Sequence, residues 1–371
     1  MNMSTVDLTG TPRQQLAERL PQMGVPAHHA LRIFGGLHKR NLPLQAIPDL
    51  GHRIQGRLQA HTRQTVLTPA QVQTSSTTET PDGPAEGVEK MLFTLEDGAQ
   101  IEGVLIPTKP GRFTVCVSSQ VGCAMGCTFC ATATLGLMRN LTSGEIVAQV
   151  HAARRRAREL GGQLTNVVFM GMGEPLQAWP AVRDALQVML DPAGLSLKAR
   201  HITVSTVGVV PKMAYLTEAF QGRVQLALSL HAGTDETRQQ IIPLAKRYPL
   251  ATLKEALLNY PLRASRMMML EYVVLPGVND TDAEIEALGR WGADLKAVVN
   301  LIPFNPFPQS PFRAPTDEEV LSASRRMKEA GLLVTVRWPR GRGVDGACGQ
   351  LALRHESEQG EPAQGASRSA M

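Results

Sequence analysis

Phe113-Thr-Val-Cys116-Val-Ser-Ser-Gln-Val-Gly-Cys123-Ala-Met-Gly-Cys127-Thr-Phe-Cys130 is the stretch whose reading decides the fold. It opens with a short apolar run of strand character, Phe113 to Ser118, and then breaks into a loop punctuated by glycine. Three of the five cysteines fall within eight residues, separated by three residues and then by two. Three thiolates at this spacing can hold three irons of a cubane cluster and leave the fourth iron open to a small molecule. The competing metal is structural zinc, with Cys116 or Cys348 as a fourth ligand. Zinc ribbons pair two well-separated Cys-x-x-Cys knuckles, whereas this chain carries one tight trio, so a cluster is the favoured reading.

Outward from this stretch the pattern is strand, loop, helix, repeated. Further strands are expected at Asn166–Met170, His201–Ser205, Val224–Leu230, Met268–Leu275, Val298–Pro303 and Leu332–Arg337. Segments of helical periodicity lie between them, among them Ser143–Leu160 and Thr316–Ala330. Alternation of this kind implies parallel β/α units, and six in a row predict an α/β fold with a partial, six-unit barrel. Upstream, Glu89-Lys-Met-Leu-Phe-Thr-Leu and Ile101-Glu-Gly-Val-Leu-Ile flank Asp97-Gly98, a hairpin signal. Thr74–Gly87 is rich in Ser, Thr, Pro and Gly and reads as a linker. The first 73 residues read as a small accessory domain of short helices, such as Pro12–Leu20 and Ala30–Phe34. The division expected is therefore 1–73 helical, 74–112 linker and hairpin, 113–353 barrel, and 354–371 a polar, disordered tail.

The composition sets outer bounds. The chain has 371 residues, of which 43% are hydrophobic, enough for one large domain and a small one. No apolar run is long enough to span a bilayer, and Met1–Leu20 lacks a secretory pattern. An odd, clustered set of cysteines fits a reducing cytoplasm better than a disulfide framework. The net charge of +5 is compatible with a nucleic-acid partner and equally with an ordinary enzyme. An aromatic content of 4% argues against a base-stacking platform. Arg154, Arg155, Arg156 and Arg158 could meet phosphates or simply form a solvated helix face.

In β/α barrels the chemistry gathers at the carboxyl ends of the strands. The unusual residues of this chain all fall at such ends: the cysteine loop, Gly171-Met-Gly173-Glu174-Pro175, Ser205, Ser229-Leu230-His231 and Asn305. The glycines would let backbone approach a ligand closely, and Glu174 could accept bonds from an ammonium group. Beside an open iron this favours the amino group of S-adenosylmethionine over a plain tight turn. Taken singly, Ser205, Ser229, His231 and Asn305 could each be no more than satisfied structural groups.

These motifs resemble the RlmN/Cfr family of radical-SAM RNA (adenosine) methyltransferases. The resemblance rests on Cys116-Val-Ser-Ser-Gln-Val-Gly-Cys123 and the trio, Arg139-Asn-Leu-Thr, and Asn166-Val-Val-Phe-Met-Gly-Met-Gly-Glu-Pro. It extends to Ser229-Leu-His-Ala, Leu301-Ile-Pro-Phe-Asn-Pro-Phe-Pro and Asp345-Gly-Ala-Cys348-Gly-Gln-Leu. It implies a 4Fe-4S cluster on Cys123, Cys127 and Cys130. It also implies S-adenosylmethionine held by Gly173, Glu174, Ser205, Ser229, Leu230, His231 and Asn305. Cys348 would carry the methyl group, Cys116 would resolve the product by forming a disulfide with it, and Glu102 would accept the ring proton. The implied reaction places a methyl on a ring carbon of adenosine, C2 first and C8 second, in ribosomal RNA with transfer RNA as a further substrate. Such a carbon is too poor a nucleophile for polar displacement, so a radical route is needed. A flavodoxin- or ferredoxin-type reductant, a cytoplasmic location and a monomer complete the expectation. Two other readings stay open on the residues alone: a radical-SAM reaction on a non-RNA substrate, and a zinc-stabilised RNA-binding module.

Overall fold

The computed structural model describes residues 5–75, 78–80, 83–85, 87–308 and 310–338. Cys348 and the expected tail at 354–371 lie outside the described residues. Ten strands make one sheet: β1 (Pro69–Thr74), β2 (Glu89–Thr94), β3 (Gln100–Lys109), β4 (Arg112–Cys116), β5 (Gln163–Phe169), β6 (Ile202–Thr206), β7 (Gln225–Ser229), β8 (Met268–Val274), β9 (Ala297–Pro303) and β10 (Val334–Val336). They lie in strict chain order from β1 to β10. β4 to β10 are parallel, and β1 to β4 pair antiparallel. Among the described residues no pairing joins β1 to β10, so the sheet they form is open.

The helices are α1 (Arg13–Arg19), α2 (His29–Phe34), α3 (His52–His61), α4 (Ser143–Glu159), α5 (Trp179–Leu190), α6 (Val210–Phe220), α7 (Asp235–Ile241), α8 (Leu250–Leu258), α9 (Asp282–Gly292) and α10 (Asp317–Glu329). Every crossover from β4 onward carries a helix, which gives the six expected β/α units of a partial barrel, with β10 as a seventh parallel strand. Helix starts are written in the side chains. Thr142 and Glu145 form a reciprocal capping box at α4, and Thr316 and Glu319 form another at α10. Along β4, Phe113 and Val115 join the same apolar core as Ile146 and Val150 of α4. Strand alternation then turns Thr114 and Cys116 to the opposite, inner face. In the described residues no helix is long and apolar enough to cross a membrane.

The hairpin forms as read, with Glu89 opposite Leu105 and Thr94 opposite Gln100. Gly98 supplies the positive φ (83°) its turn requires. Pro69–Thr74, at the end of the region read as helical, is an edge strand on the hairpin, and within the stretch read as a linker Thr78–Thr80 pairs with Gly83–Ala85. Threonine is β-branched and suits strands, and proline is tolerated at the first position of an edge strand, so a Thr/Pro-rich composition does not exclude pairing. The N-terminal region is built from α1, α2 and α3 as expected, and it adds a short parallel pair, Val6–Asp7 with Thr62–Arg63.

The arginine run on α4 proves to be a clamp. Arg154 donates to the carbonyls of His38 (2.7 Å) and Lys39 (3.3 Å), and Arg155 donates to that of Leu67 (2.9 Å). Arg156 makes a two-pronged bond to Glu89 on the hairpin at 2.8 and 2.7 Å. Beside them a buried pair, His38 Nδ1 and His151 Nε2 at 3.1 Å, joins the N-terminal helices to α4. Burial holds His38 down at about 4, and burial together with His38 pushes His151 well below the usual histidine range.

Candidate active site

The cysteine loop leaves β4 at Cys116. Its first leg, Gln120–Gly122, pairs with Leu137–Asn140. Gly122 has φ 74°, and a Cβ there would lie 1.8 Å from the Gly136 carbonyl oxygen, so only glycine fits. The Cys123 amide donates to Gly136 O at 2.7 Å and the Cys130 amide to Cys127 O at 3.1 Å. The Thr128 amide reaches Ile241 O at 3.0 Å and docks the loop on the end of α7. Cys127 is buried, and Cys123 and Cys130 are half-buried.

Burial pushes the Cys123 thiol up to about 11, with Cys130 and Glu174 adding to it. Burial, then Cys130 and Cys123, pushes Cys127 well above the usual thiol range, and burial raises Cys130. Burial thus favours the thiol form of all three, and a cation bound among them would supply the charge that favours the thiolates. Among the described residues, no three His, Cys, Asp or Glu side chains converge on a single ion position. A cubane cluster presents a separate iron to each cysteine, so its ligands stand apart around a volume. Cys127, with Cys130 packed beside it, sits in an apolar setting (Ile241, Ile242, Phe304 and Phe307) that suits such a group. A fully buried arginine, Arg238, stands close enough to act electrostatically on Cys127, and its Nη1 has no partner among the described residues. The donor set and that orphaned cation both fit an anionic cluster.

The Gly171–Pro175 loop follows β5. Its glycines serve first to let it lie against the 117–120 segment. A Cβ on Gly171 would sit 2.8 Å from Ser118 Oγ, and one on Gly173, at φ 97°, would sit 2.5 Å from Gln120 Cβ. Glu174 is buried, and its carboxylate accepts from the amides of Leu176 (3.1 Å) and Val207 (2.9 Å). Burial pushes it up to about 7, opposed by those two bonds. A carboxyl poised this way gains by meeting an ammonium group.

The next strand ends bring the remaining polar residues together. Ser205 Oγ and Ser229 Oγ are 3.3 Å apart. Leu230 is fully buried, and its amide donates to Glu271 O at 3.0 Å. His231 takes a left-handed conformation (φ 59°) and accepts from the Val273 amide at 2.9 Å. Its ring packs edge-on to Phe129 of the cysteine loop at 4.6 Å, and burial holds it at about 3, a neutral imidazole. Asn305 lies half-buried just beyond β9.

Cys116 and Glu102 share the inner face of the sheet. Cys116 is opposite Val104 on β3, and Glu102 is two residues from Val104 on the same face. Glu102 is buried rather than an exposed strand glutamate, and it pairs with the equally buried Lys90 at 3.5 Å. Four residues that the sequence reading passed over complete the site's frame. Ser118 and Gln120 bind the Gly171–Glu174 loop, and Arg238 stands behind Cys127. Glu271 lies opposite Ser229 in register; one oxygen accepts from Asn300 at 2.9 Å, and the other is buried with no hydrogen-bond partner among the described residues. An acidic residue inside an apolar strand, Met268-Met-Leu-Glu271-Tyr-Val-Val, was the one signal that could have found it.

A parallel sheet with a three-cysteine loop and a glycine–glutamate loop at its carboxyl edge defines a radical SAM protein, and residues 117–288 match the Radical SAM superfamily. Similarity to individual proteins runs well beyond that segment. The dual-specificity RNA methyltransferase RlmN of Anaeromyxobacter dehalogenans is 42% identical over 364 residues, covering 96% of this chain and 94% of its own. That of Geobacter sulfurreducens is 40% identical over 347 residues, covering 93% and 92%. The crystal structure of a radical SAM methyltransferase from Sphaerobacter thermophilus superposes with a TM-score of 0.83 at 42% identity, over 93% of this chain and 98% of that one. The chain belongs to the RlmN family of radical SAM methyltransferases.

Proposed function

We propose that the protein methylates a ring carbon of adenosine in RNA, C2 in preference to C8, with ribosomal RNA as the main substrate and transfer RNA as a second. The observation that carries this reading is the placement of Cys116 and Glu102 on one inner face, one loop upstream of the cysteine trio. Cys123, Cys127 and Cys130 would hold a 4Fe-4S cluster. Gly173, Glu174, Ser205, Ser229, Leu230, His231 and Asn305 would hold S-adenosylmethionine. When bound, these cofactors supply the methyl group and the radical chemistry that an unreactive aromatic carbon requires.

The chain's own residues do the rest. Buried Glu174 accepts the ammonium group, which favours its ionised form. Cys348 is the thiol that carries the methyl group to the base, and Glu102 takes the ring proton with Lys90 beside it. Cys116, as its thiolate, then attacks the Cys348 sulfur: the disulfide forms as the carbon–sulfur bond breaks, the two electrons of that bond pass to the methylene carbon left on the base, and a proton taken up there completes the methyl group, the ring proton having gone to Glu102. The reductant is of the flavodoxin or ferredoxin type, and the setting is a monomer in the cytoplasm.

The test is the pair of cysteine variants, incubated anaerobically with RNA. Cys116→Ala is expected to stop at a covalent protein–RNA adduct visible on a denaturing gel, and Cys348→Ala to form none. Normal turnover by Cys116→Ala would contradict the assignment.

A further inference from the structure

Arg238 is a fully buried cation, the largest of the fully buried side chains in the described residues. It lies on α7, one turn before Ile241, whose carbonyl oxygen anchors the cysteine loop through the Thr128 amide. Three carbonyls at strand ends fix its orientation. Nε donates to Leu230 O at 3.1 Å, and Nη2 donates to Val207 O at 2.7 Å and to Ser229 O at 3.3 Å. Nη1 is buried and has no hydrogen-bond partner among the described residues.

A buried ionised donor left unmet is strongly destabilising, and a chain that retains one usually supplies its partner by other means. The nearby protein groups do not offer one. Asp235 accepts from the Leu250 amide at 2.8 Å, and His231 Nδ1 already accepts from Val273. Close enough to interact with Arg238 electrostatically is Cys127, which shares an apolar cluster with Ile241, Ile242, Phe304 and Phe307.

We infer that Arg238 Nη1 donates its hydrogen bonds to sulfur at the Cys127 corner of the iron–sulfur cluster, either the thiolate or an adjoining sulfide, and so sets the cluster's reduction potential. The inference rests on the proposal that the trio holds a 4Fe-4S cluster. Three thiolates make the oxidised cluster anionic, and the single electron taken from the external reductant makes it more so. A fixed cation in a dry setting favours the reduced form, and hydrogen bonds to sulfur act in the same direction. This makes Arg238 a residue of the electron-transfer step as well as a brace for three strand ends.

The direct test uses the wild-type holoprotein. With arginine labelled by 15N in its guanidino group, electron–nuclear double resonance on the reduced cluster is expected to show a weak 15N coupling. An intact cluster signal without that coupling overturns the inference. Absence of any cluster signal, with iron and sulfide missing on analysis, overturns instead the proposal beneath it.

The second test is a redox titration of Arg238→Gln and Arg238→Lys, each checked for iron and sulfide content. The Gln variant is expected to reduce at least tenfold less favourably, about 59 mV lower for a one-electron couple. The Lys variant, which keeps the charge but loses the fork, should fall between it and wild type. A loaded Gln variant with the wild-type midpoint overturns the inference.

Discussion

Replacing Ser118 by alanine removes one oxygen atom from the junction on which the site depends. The side chain is fully buried. Its hydroxyl donates to Glu102 O at 2.6 Å and accepts from the Met172 amide at 2.9 Å. One atom thus ties the hairpin strand that bears Glu102 to the loop that bears Glu174. The backbone of Ser118 is held separately, its amide by Gln149 Oε1 at 2.8 Å and its carbonyl by Gln149 Nε2 at 3.1 Å, and these bonds survive the substitution. The loss therefore strands the buried Met172 amide outright and takes one bond from the Glu102 carbonyl. An unsatisfied buried group costs about 1–3 kcal/mol and a lost bond about 1 kcal/mol, so the expected destabilisation is about 2–4 kcal/mol. Urea unfolding is the assay, with a lower midpoint at unchanged slope. Ser119→Ala is the internal control, because that hydroxyl makes only a 3.4 Å contact with Met172 O and its removal should cost well under about 1 kcal/mol. If Ser118→Ala is no less stable than Ser119→Ala, the junction does not hold the site together.

Two further predictions concern pH. Glu174 has its folded-state value raised from 4.5 to about 7, so its contribution to stability is fully present below pH 4.5 and is lost as pH rises through about 7. The loss amounts to about 3 kcal/mol at pH 8, and Glu174→Gln should flatten the unfolding free energy across that window. His38 runs the other way: lowered from 6.5 to about 4, its contribution is complete above pH 6.5 and is lost as pH falls towards 4, again by about 3 kcal/mol. His38→Gln should remove that acid-side slope, measured by the same unfolding curves; a variant with the wild-type slope would show that the His38–His151 contact does not exclude protons.

The parallel strands were legible because a strand buried on both faces reads as a continuous apolar run. The expected Met268–Leu275 and Val298–Pro303 therefore agree with β8 and β9 to within a residue. The glycine loops were legible as well, although their main partner is the neighbouring 117–120 segment. What could not be read depends on contacts between distant segments. Arg154, Arg155 and Arg156 looked like a charge run, and only the fold reveals the carbonyls and the carboxylate they hold. Arg238 sits in the ordinary polar string Asp235-Glu-Thr-Arg-Gln-Gln, where nothing local foretells complete burial. The burial of Glu102 was not legible either, because the alternation of a hairpin does not say which face meets the barrel interior.

The central claim is methyl transfer to an adenosine ring carbon of RNA, and nucleoside mass mapping tests it most directly. Ribosomal and transfer RNA from a strain lacking the gene would be digested and compared with the parent, with the intact gene restored as a control. The account predicts loss of a methyladenosine carrying its methyl on carbon, C2 in preference to C8, and its return on restoration. An unchanged set of methylated adenosines in the deletion strain would contradict it.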